Sequence, residues 1–363
     1  MAAHPLFHRY ATRLSVGGLI LGRSGPLRTT HPPRAPFSKS STCSAPNRWS
    51  PPPEPEKPPV PYTRGFRFTA RRVKPPRPFQ GRYWDVPAGP LRDFLEQFRS
   101  ADDDFLKSTT LVDYCLLAAA YPLPCEESGE TASFKVLREL TVGDGSDRGR
   151  GSQVVTCKRR GQREPLVAKI YDLLYYPFAN EDFWDMPNDV VADVENDFAV
   201  ESAAYALLDE RLGGILIPKF YGSWLLDLPL KEANRPVGFI LMEHLKGVPL
   251  STLDPKLYSQ EARLRILALS IEAQLEMRFA GVIHEDVAPR NVICSGKDFM
   301  AGDFRIKIID FGLVNILPLA GIDAPCKSEP LPESPVEWFW NCPVSKCRTG
   351  CRKGREDRNG TSG

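Results

Sequence analysis

The stretch GVIHEDVAPRNVIC, residues 281–294, places several polar side chains between two apolar runs. They are an imidazole, two carboxylates and an amide, from His284, Glu285, Asp286 and Asn291. A carboxylate can take a proton from a hydroxyl group, and carboxylate and amide oxygens are ligands for hard divalent cations. A further carboxylate, Asp310, follows the next apolar run. The pattern favours a polar site at the mouth of a cleft, with the intervening apolar residues facing a core.

Five short runs rich in β-branched and aromatic residues predict the strands that support this site. The first three, at residues 134–142, 152–160 and 165–176, follow one another across Gly-rich or charged turns. Such spacing is typical of an antiparallel meander. Two more runs lie at residues 219–228 and 236–245. Together with one intervening helix, the five strands predict a small sheet domain.

Three segments have the three- and four-residue apolar spacing of helices. Residues 90–120 predict one or two helices, and residues 190–214 predict a helix that ends at a glycine. The longest helical signal, residues 257–279, has Leu264 and Leu267 on its apolar face. Helices combined with an antiparallel sheet indicate the α+β class.

The motifs and their order resemble those of the protein-kinase-like superfamily. HEDVAPRN fits the H-x-D-x-x-x-x-N catalytic loop, residues 310–312 fit the D-F-G motif, and Lys169 in LVAKI fits the lysine of the third strand. The resemblance covers about residues 134–315, where the chain is most similar to short uncharacterised fungal protein-kinase-like proteins. Aminoglycoside and choline kinases are more distantly similar. This resemblance implies a kinase-like two-lobe fold with a shortened C-terminal lobe.

The resemblance also divides the chain into five regions. They are a disordered basic and proline-rich leader (1–80), a helical extension (81–133), a kinase-like N-lobe (134–245), a shortened kinase-like C-lobe (246–325) and a flexible tail (326–363). The C-lobe is expected to be short because the sequence after the D-F-G has no A-P-E motif and no long apolar helical periodicity.

The resemblance implies a role for each polar group in phosphoryl transfer. Asp286 would act as the catalytic base, and Asn291 and Asp310 would hold Mg²⁺. Lys169 would hold the α and β phosphates of ATP. A glutamate on the following helix would orient that lysine, and Glu201 is the first choice, with Glu195 second.

The resemblance further implies a nucleotide pocket. Ala168 would cover the adenine ring, Met242 would lie at the back of the pocket, and the backbone of Glu243 and Leu245 would bond the adenine edge. The phosphate loop is the weakest match, because residues 141–155 contain several glycines but no clean G-x-G-x-x-G-x-V. Two of these glycines, Gly149 and Gly151, are the candidates for phosphate contact, since glycine lets backbone N–H groups approach a phosphate. A flexible exposed turn would have the same composition.

Two positions in the catalytic loop depart from the family pattern. Glu285 stands where the family usually has arginine, which removes the cation that would pair with a phosphorylated activation segment. Ala288 stands where serine/threonine kinases have lysine, so Arg290 or another cation would have to neutralise the transferred phosphoryl group. These departures keep a second hypothesis open.

The leading hypothesis is an ATP- and Mg²⁺-dependent phosphotransferase acting on a hydroxyl acceptor, with protein as the first choice of acceptor. One alternative is a catalytically weak or inactive pseudokinase or scaffold. The other is a small-molecule kinase of the aminoglycoside and choline kinase type, because the A-P-E region that builds the protein-substrate platform is missing.

Charge and composition limit the classes of binding partner and the cellular compartments that the sequence predicts. The 363 residues carry a net charge of +2, which gives no case for nucleic acid as a main partner. The longest apolar run near the start, LSVGGLILG, is too short to span a membrane. Scattered cysteines predict reduced thiols and an intracellular protein, cytoplasmic or nuclear. Residues 1–50 contain arginine but no acid, which is typical of a mitochondrial transit peptide or of a disordered basic tail.

The cysteines near the C-terminus raise the question of a metal site. Cys342, Cys347 and Cys351 are separated by four and three residues rather than by the two that are typical of zinc ribbons. A zinc site with Cys326 as fourth ligand is the minor alternative, and a tail without metal is the preferred interpretation.

Overall fold

The computed structural model describes residues 49–78, 103–119, 123–145, 151–179, 187–296 and 299–325. The helices are α1 (Asp103–Ser108), α2 (Leu111–Ala119), α3 (Val190–Leu212) and α4 (Gln260–Phe279). The strands are β1 (Arg67–Lys74), β2 (Glu126–Thr141), β3 (Gln153–Arg159), β4 (Leu166–Tyr171), β5 (Phe220–Leu230), β6 (Ala233–Glu243), β7 (Val248–Pro249), β8 (Val282–His284), β9 (Val292–Ser295), β10 (Arg305–Ile308) and β11 (Val314–Ile316). This mixture of helices and mainly antiparallel strands is α+β, as predicted.

Six strands form a closed antiparallel barrel in the order β1-β2-β3-β4-β6-β5. The predicted meander of β2, β3 and β4 is confirmed, with Val155 of β3 opposite both Glu139 of β2 and Ala168 of β4. Aromatic rings fill the interior, where Phe134 contacts Trp224 and Phe239 at centroid distances of 5.4 and 5.6 Å. Such aromatic pairs stabilise a core beyond the apolar area that they bury.

Strand β1 corrects the predicted boundaries of the leader and of the sheet. It pairs with β2 on one side and with β5 on the other, for example Ala70 with Ala132 and Arg71 with Leu225. The prediction of a disordered leader through residue 80 is therefore wrong for residues 67–74. The sheet also includes residues 126–133, which the sequence assigned to the helical extension. Prolines on both sides of β1 hid the alternation of its buried and exposed side chains.

The proline-rich segment before β1 packs against the helices instead of standing apart as a linker. The Trp49 Nε1–H donates to Lys107 O at 3.2 Å, and the Tyr175 hydroxyl donates to Pro59 O at 3.1 Å. The Glu54 carboxylate accepts the backbone N–H groups of Leu111 and Val112, which open α2. A carboxylate at a helix N-terminus satisfies otherwise unpaired N–H groups and favours the helix dipole.

A buried ion pair joins β4, β6 and the proline-rich segment. The Asp172 carboxylate receives Arg235 Nη2 at 2.9 Å and Nε at 3.1 Å, and neither side chain is more than 2 % exposed. The Tyr62 hydroxyl donates to Asp172 Oδ2 at 2.5 Å, and burial raises the pKa of Tyr62, so it stays a neutral donor. Arg235 Nη1 also donates to Pro229 O, so most of the polar atoms in this network have partners.

The chain after the barrel forms α4 and two small sheets. Ser259 accepts the Ala262 N–H and begins α4. One small sheet has the strand order β10-β9-β7, and the other pairs β11 with β8. Within the described part of the chain, no helix is long and apolar enough to cross a membrane. The four described cysteines, Cys115, Cys125, Cys157 and Cys294, are free thiols.

Candidate active site

An ion cluster forms where β4, α3 and the D-F-G segment meet. Lys169 Nζ lies 2.5 Å from Glu201 Oε2 and 2.7 Å from Asp310 Oδ1. Glu201 is completely buried, whereas the Asp310 side chain is 47 % exposed. The structure therefore brings together three predicted site residues that are up to 141 positions apart in the sequence.

The cluster is charged at neutral pH. Burial by itself would lower the pKa of Lys169, but Glu201 and Asp310 raise it above its usual value. Burial would likewise raise the pKa of Asp310, but the neighbouring Lys169 holds it below its usual value. A cationic amine beside an ionised and half-exposed carboxylate can hold phosphate oxygens and a cation at adjacent positions.

Packing of α3 against the barrel positions Glu201. Asp189 begins the helix and accepts the Ala192 N–H at 3.0 Å. The ring of Phe198, one turn before Glu201, lies against the backbone of Gly238, where an added Cβ would be 2.8 Å from the ring. Glycine at position 238 therefore lets α3 approach β6 closely enough for Glu201 to reach Lys169.

Two further contacts of Glu201 were not predicted from the sequence. The Tyr171 hydroxyl donates to Glu201 Oε2 at 2.6 Å, and the Phe311 backbone N–H donates to Glu201 Oε1 at 3.1 Å. Tyr171 lies two residues after Lys169 on β4, so the two-residue period of a strand puts both side chains on one face. The strand period could therefore have predicted Tyr171 from the sequence, whereas the contact with Phe311 depends on tertiary packing.

The catalytic loop is ordered by hydrogen bonds among its own polar groups. Asn291 Nδ2 donates to Asp286 O at 2.9 Å and to Asp286 Oδ2 at 3.0 Å. Arg290 Nη2 lies 2.5 Å from Asp286 Oδ2, and the Arg290 side chain is 63 % exposed. The structure thus places one predicted metal ligand, Asn291, and an exposed cation, Arg290, each within hydrogen-bonding distance of the predicted base, Asp286.

His284 links this loop to the D-F-G segment and is neutral. Its Nδ1 accepts the Asp286 N–H at 3.1 Å, so Nε2 carries the proton and donates to Ile309 O at 3.2 Å. Burial lowers the pKa of His284, which agrees with this uncharged form. A second link runs from the Ile309 N–H to Asn291 O at 2.9 Å. These bonds hold Asp310 next to the catalytic loop.

The backbone of Asp310 adopts an uncommon conformation. Its φ of 69° lies in the left-handed region, which asparagine and aspartate tolerate better than most residues. The next residue, Phe311, is completely buried and contacts Tyr205 and His284 at centroid distances of 4.8 and 5.1 Å. Burial of this ring turns the neighbouring Asp310 side chain outward to Lys169.

The predicted adenine contacts are only partly available in this structure. Ala168 is completely buried between β3 and β6, and Met242 is 6 % exposed and contacts the Tyr205 hydroxyl through its sulfur. The Glu243 N–H donates to Lys219 O at 2.9 Å, so this N–H is already paired within the protein. Leu245 lies half-buried beside Glu243. The nucleotide roles of these residues stay predictions.

The glycine-rich loop has structural reasons for its glycines. An added Cβ at Gly151 would lie 2.3 Å from the Tyr176 ring, so close packing alone requires glycine there. The Gly143 N–H donates to the Gln153 side chain at 2.8 Å and is not free to bind a phosphate. Gly149 lies outside the described residues, as do the four cysteines considered for zinc. No cluster of three or more metal-binding His, Cys, Asp or Glu side chains occurs in the described ranges.

Glu195, the second choice for the lysine partner, makes no ion pair with Lys169 and lies on a half-buried acidic part of α3. Burial first, and then Asp189, raise its pKa to about 8. Burial also raises the pKa of Asp197 to about 7, although the Tyr176 hydroxyl donates to it at 3.1 Å. Both groups are protonated in the folded protein at pH values where an unfolded chain would have released the proton.

These raised pKa values predict how stability changes with pH. The folded state holds more protons than the unfolded state in this range. The free energy of unfolding should therefore fall as the pH rises from about 5 to about 8, by at most about 1.4 kcal/mol per pH unit for each proton. Urea unfolding of Glu195→Gln across this range should show a shallower fall than the wild type. Glu261→Gln, on the exposed first turn of α4, is the control with no expected change. Identical slopes for wild type and Glu195→Gln would contradict the prediction.

Comparison with known proteins does not identify a family for this chain. No family model matches the chain, and no curated protein matches it. Among solved structures, the kinase domain of Mycobacterium tuberculosis PknI aligns with 50% of this chain at 19% identity and a TM-score of 0.31. The alignment spans 60% of that kinase domain. The resemblance to fungal protein-kinase-like proteins stays a prediction, and the function has to be inferred from the contacts within the chain.

Proposed function

We propose that the protein is an ATP- and Mg²⁺-dependent phosphotransferase of the protein-kinase-like fold that transfers the γ-phosphoryl group to a hydroxyl acceptor. The observation that carries this proposal is the placement of Lys169 Nζ between Glu201 and Asp310. Glu201 orients the lysine, and the lysine amine has the charge and reach to hold phosphate oxygens. The acceptor is a protein hydroxyl in this proposal, and a small-molecule hydroxyl is the alternative.

The residues around Asp310 fit a magnesium ion. Mg²⁺ is usually bound by one or two protein oxygens together with substrate phosphates. Asp310 offers a half-exposed carboxylate. The side-chain nitrogen of Asn291 donates to Asp286, so the side-chain oxygen Oδ1 of Asn291 would be the second ligand. When bound, the ion would neutralise negative charge on the transferred phosphoryl group.

Asp286 and Arg290 would serve the acceptor side of the reaction. The Asp286 carboxylate is held by Asn291 and Arg290, so it is positioned to accept a proton from a hydroxyl group. Arg290 is exposed at the cleft and carries the positive charge that Ala288 does not supply. We therefore assign Arg290 to stabilising charge on the phosphoryl group while Asp286 receives the proton.

Nucleotide-dependent thermal stabilisation of the full chain tests the binding half of this proposal. A ligand that binds only the folded state adds about 2.7 kcal/mol at a concentration 100 times Kd. We expect Mg²⁺-ATP to raise the melting temperature of the wild type. In Asp310→Asn, the additional rise caused by Mg²⁺ over ATP alone should be lost. Asparagine tolerates the left-handed conformation at this position, so the backbone should be kept.

Asp303→Asn provides the matched control because it makes the same substitution on an exposed turn of the neighbouring hairpin. Its melting temperature should rise with Mg²⁺-ATP as much as that of the wild type. No stabilisation of the wild type at millimolar nucleotide would contradict the proposal. Equal stabilisation of Asp310→Asn would contradict the assignment of Asp310 as a metal ligand.

A second candidate function is a nucleotide-binding or scaffolding module without turnover. The complete burial of Ala168 favours the scaffolding form of this function, since an adenine ring could contact this residue only after neighbouring groups moved. Glu285 favours it as well, because its carboxylate receives Asn315 Nδ2 at 3.1 Å where active kinases usually present arginine. Stabilisation by nucleotide without any release of ADP would identify this second function.

A further inference from the structure

A cavity in the described part of the chain is lined by none of the residues assigned to catalysis. It has a volume of about 310 Å³ and lies among β1, α2, α3 and β6. Apolar side chains form most of its wall, including Ala118, Leu123, Val194 and Phe198. Cavities of this size bind small organic molecules, usually through an apolar wall and a few oriented polar groups.

The Glu195 carboxyl group brings an unpaired oxygen to this wall. Its Oε2 atom is buried and has no hydrogen-bond partner among the described residues. A buried oxygen of this kind is costly unless something donates a hydrogen bond to it. The cavity side of α3 therefore offers an unsatisfied carboxyl oxygen, which acts as an acceptor once Glu195 is ionised.

The cations of the wall are already paired. Arg235 is held by Asp172, and Arg71 forms ion pairs with Glu127 Oε1 at 2.9 Å and with Asp227. Arg71 Nε makes no hydrogen bond among the described residues, although its charge is paired. Their positive charges are thus neutralised within the protein. An anionic ligand would find no free cation among these groups, and it would meet the Glu195 carboxyl. The balance of charge favours a ligand that brings a hydrogen-bond donor or a positive charge.

We propose that this cavity is a binding site for a small amphipathic amine, with the apolar body against Ala118 and Phe198 and the ammonium group on Glu195. The site is distinct from the proposed nucleotide site, because its wall contains none of the residues assigned to ATP or Mg²⁺. Tyr171 of this wall donates to Glu201 and so connects the two regions. It uses α2, which belongs to the segment before the region of kinase resemblance. This proposal does not depend on phosphotransferase activity.

Isothermal titration of the full chain with 2-phenylethylamine tests this proposal. 2-Phenylethanol has nearly the same shape without the charge and serves as the matched probe. A pH of about 8.5 ionises Glu195, whose pKa is about 8, and leaves the amine protonated. We expect the amine to bind the wild type, and Glu195→Gln to weaken it about tenfold or more, since charge-assisted hydrogen bonds are the stronger ones. The alcohol should bind wild type and variant equally.

Ala118→Leu locates the binding because the larger side chain fills the cavity. If this variant melts cooperatively, it should bind neither probe, and retained binding of the amine would overturn the proposal. If Ala118→Leu does not fold, the test is the affinity of wild type and Glu195→Gln for the amine, because Glu195→Gln changes the charge of the site and not its size. No heat from the amine at about 10 mM, or equal affinity in wild type and Glu195→Gln, would also overturn it.

Discussion

Asp286→Asn should slow phosphoryl transfer from Mg²⁺-ATP by about 10²–10⁴-fold, the range that general-base catalysis contributes. Asparagine keeps an oxygen for Asn291 Nδ2 and for Arg290, so the loop geometry should survive. It cannot accept the proton of an acceptor hydroxyl at neutral pH. The rate is measured as ADP release, with the chain itself, a peptide mixture and small hydroxyl compounds supplied in separate reactions.

Nucleotide affinity of the same variant separates catalysis from binding. We expect Kd for Mg²⁺-ATP to change by less than about twofold, because Asp286 faces the acceptor and not the nucleotide in the proposed arrangement. Asp303→Asn should leave both rate and affinity unchanged. Equal ADP release by Asp286→Asn and wild type would remove the base assignment. A wild type that binds nucleotide without releasing ADP would move the protein to the scaffolding alternative.

Arg235→Leu should produce the largest loss of stability in the barrel. The substitution leaves the Asp172 carboxylate completely buried without its positive partner. Breaking a buried pair from one side costs about 3–5 kcal/mol, because an uncompensated charge remains in a low-dielectric interior. The free energy of unfolding, measured in urea, should fall by this amount.

The double variant Asp172→Asn with Arg235→Leu tests the cause of that loss. Removing the buried charge as well should recover part of the stability, so the double variant should unfold at higher urea than Arg235→Leu alone. Lys74→Met is the surface control, since Lys74 and Glu126 form an ion pair whose side chains are both more than three-quarters exposed. It should change stability little. A double variant less stable than Arg235→Leu would contradict this explanation.

Local patterns in the sequence predicted the elements that carry the site. The helix that carries Glu201 and the strand that carries Lys169 both follow from apolar and β-rich patterns, whereas their contact was implied by the resemblance and is present in the structure. Glu195 and Glu201 are six positions apart and face different directions on α3, and the helical register alone does not say which of them faces Lys169. The chemical roles of these residues remain predictions.

The sequence did not predict features that depend on distant packing. Leu264 and Leu267 were expected on the buried face of α4, but they are 49 % and 55 % exposed. The buried residues of α4 are Ala262, Ile266, Ala273, Met277 and Phe279, so two of the five are alanines. Hydrophobicity alone ranks leucine above alanine and so selects the wrong face. Gly151 was likewise matched to phosphate binding, although the position of the Tyr176 ring explains it.

Closure of the barrel by β1 has a consequence for self-association. Strands β2 and β5 each use one row of backbone N–H and C=O groups to pair with β1. A chain that started after Lys74 would expose both rows at once, and unpaired strand edges readily add a strand from another molecule. An expression fragment of this protein should therefore begin before the proline-rich segment. With β1 in place, the edges of β2 and β5 are both paired, and the barrel offers no free edge there to a strand from another molecule.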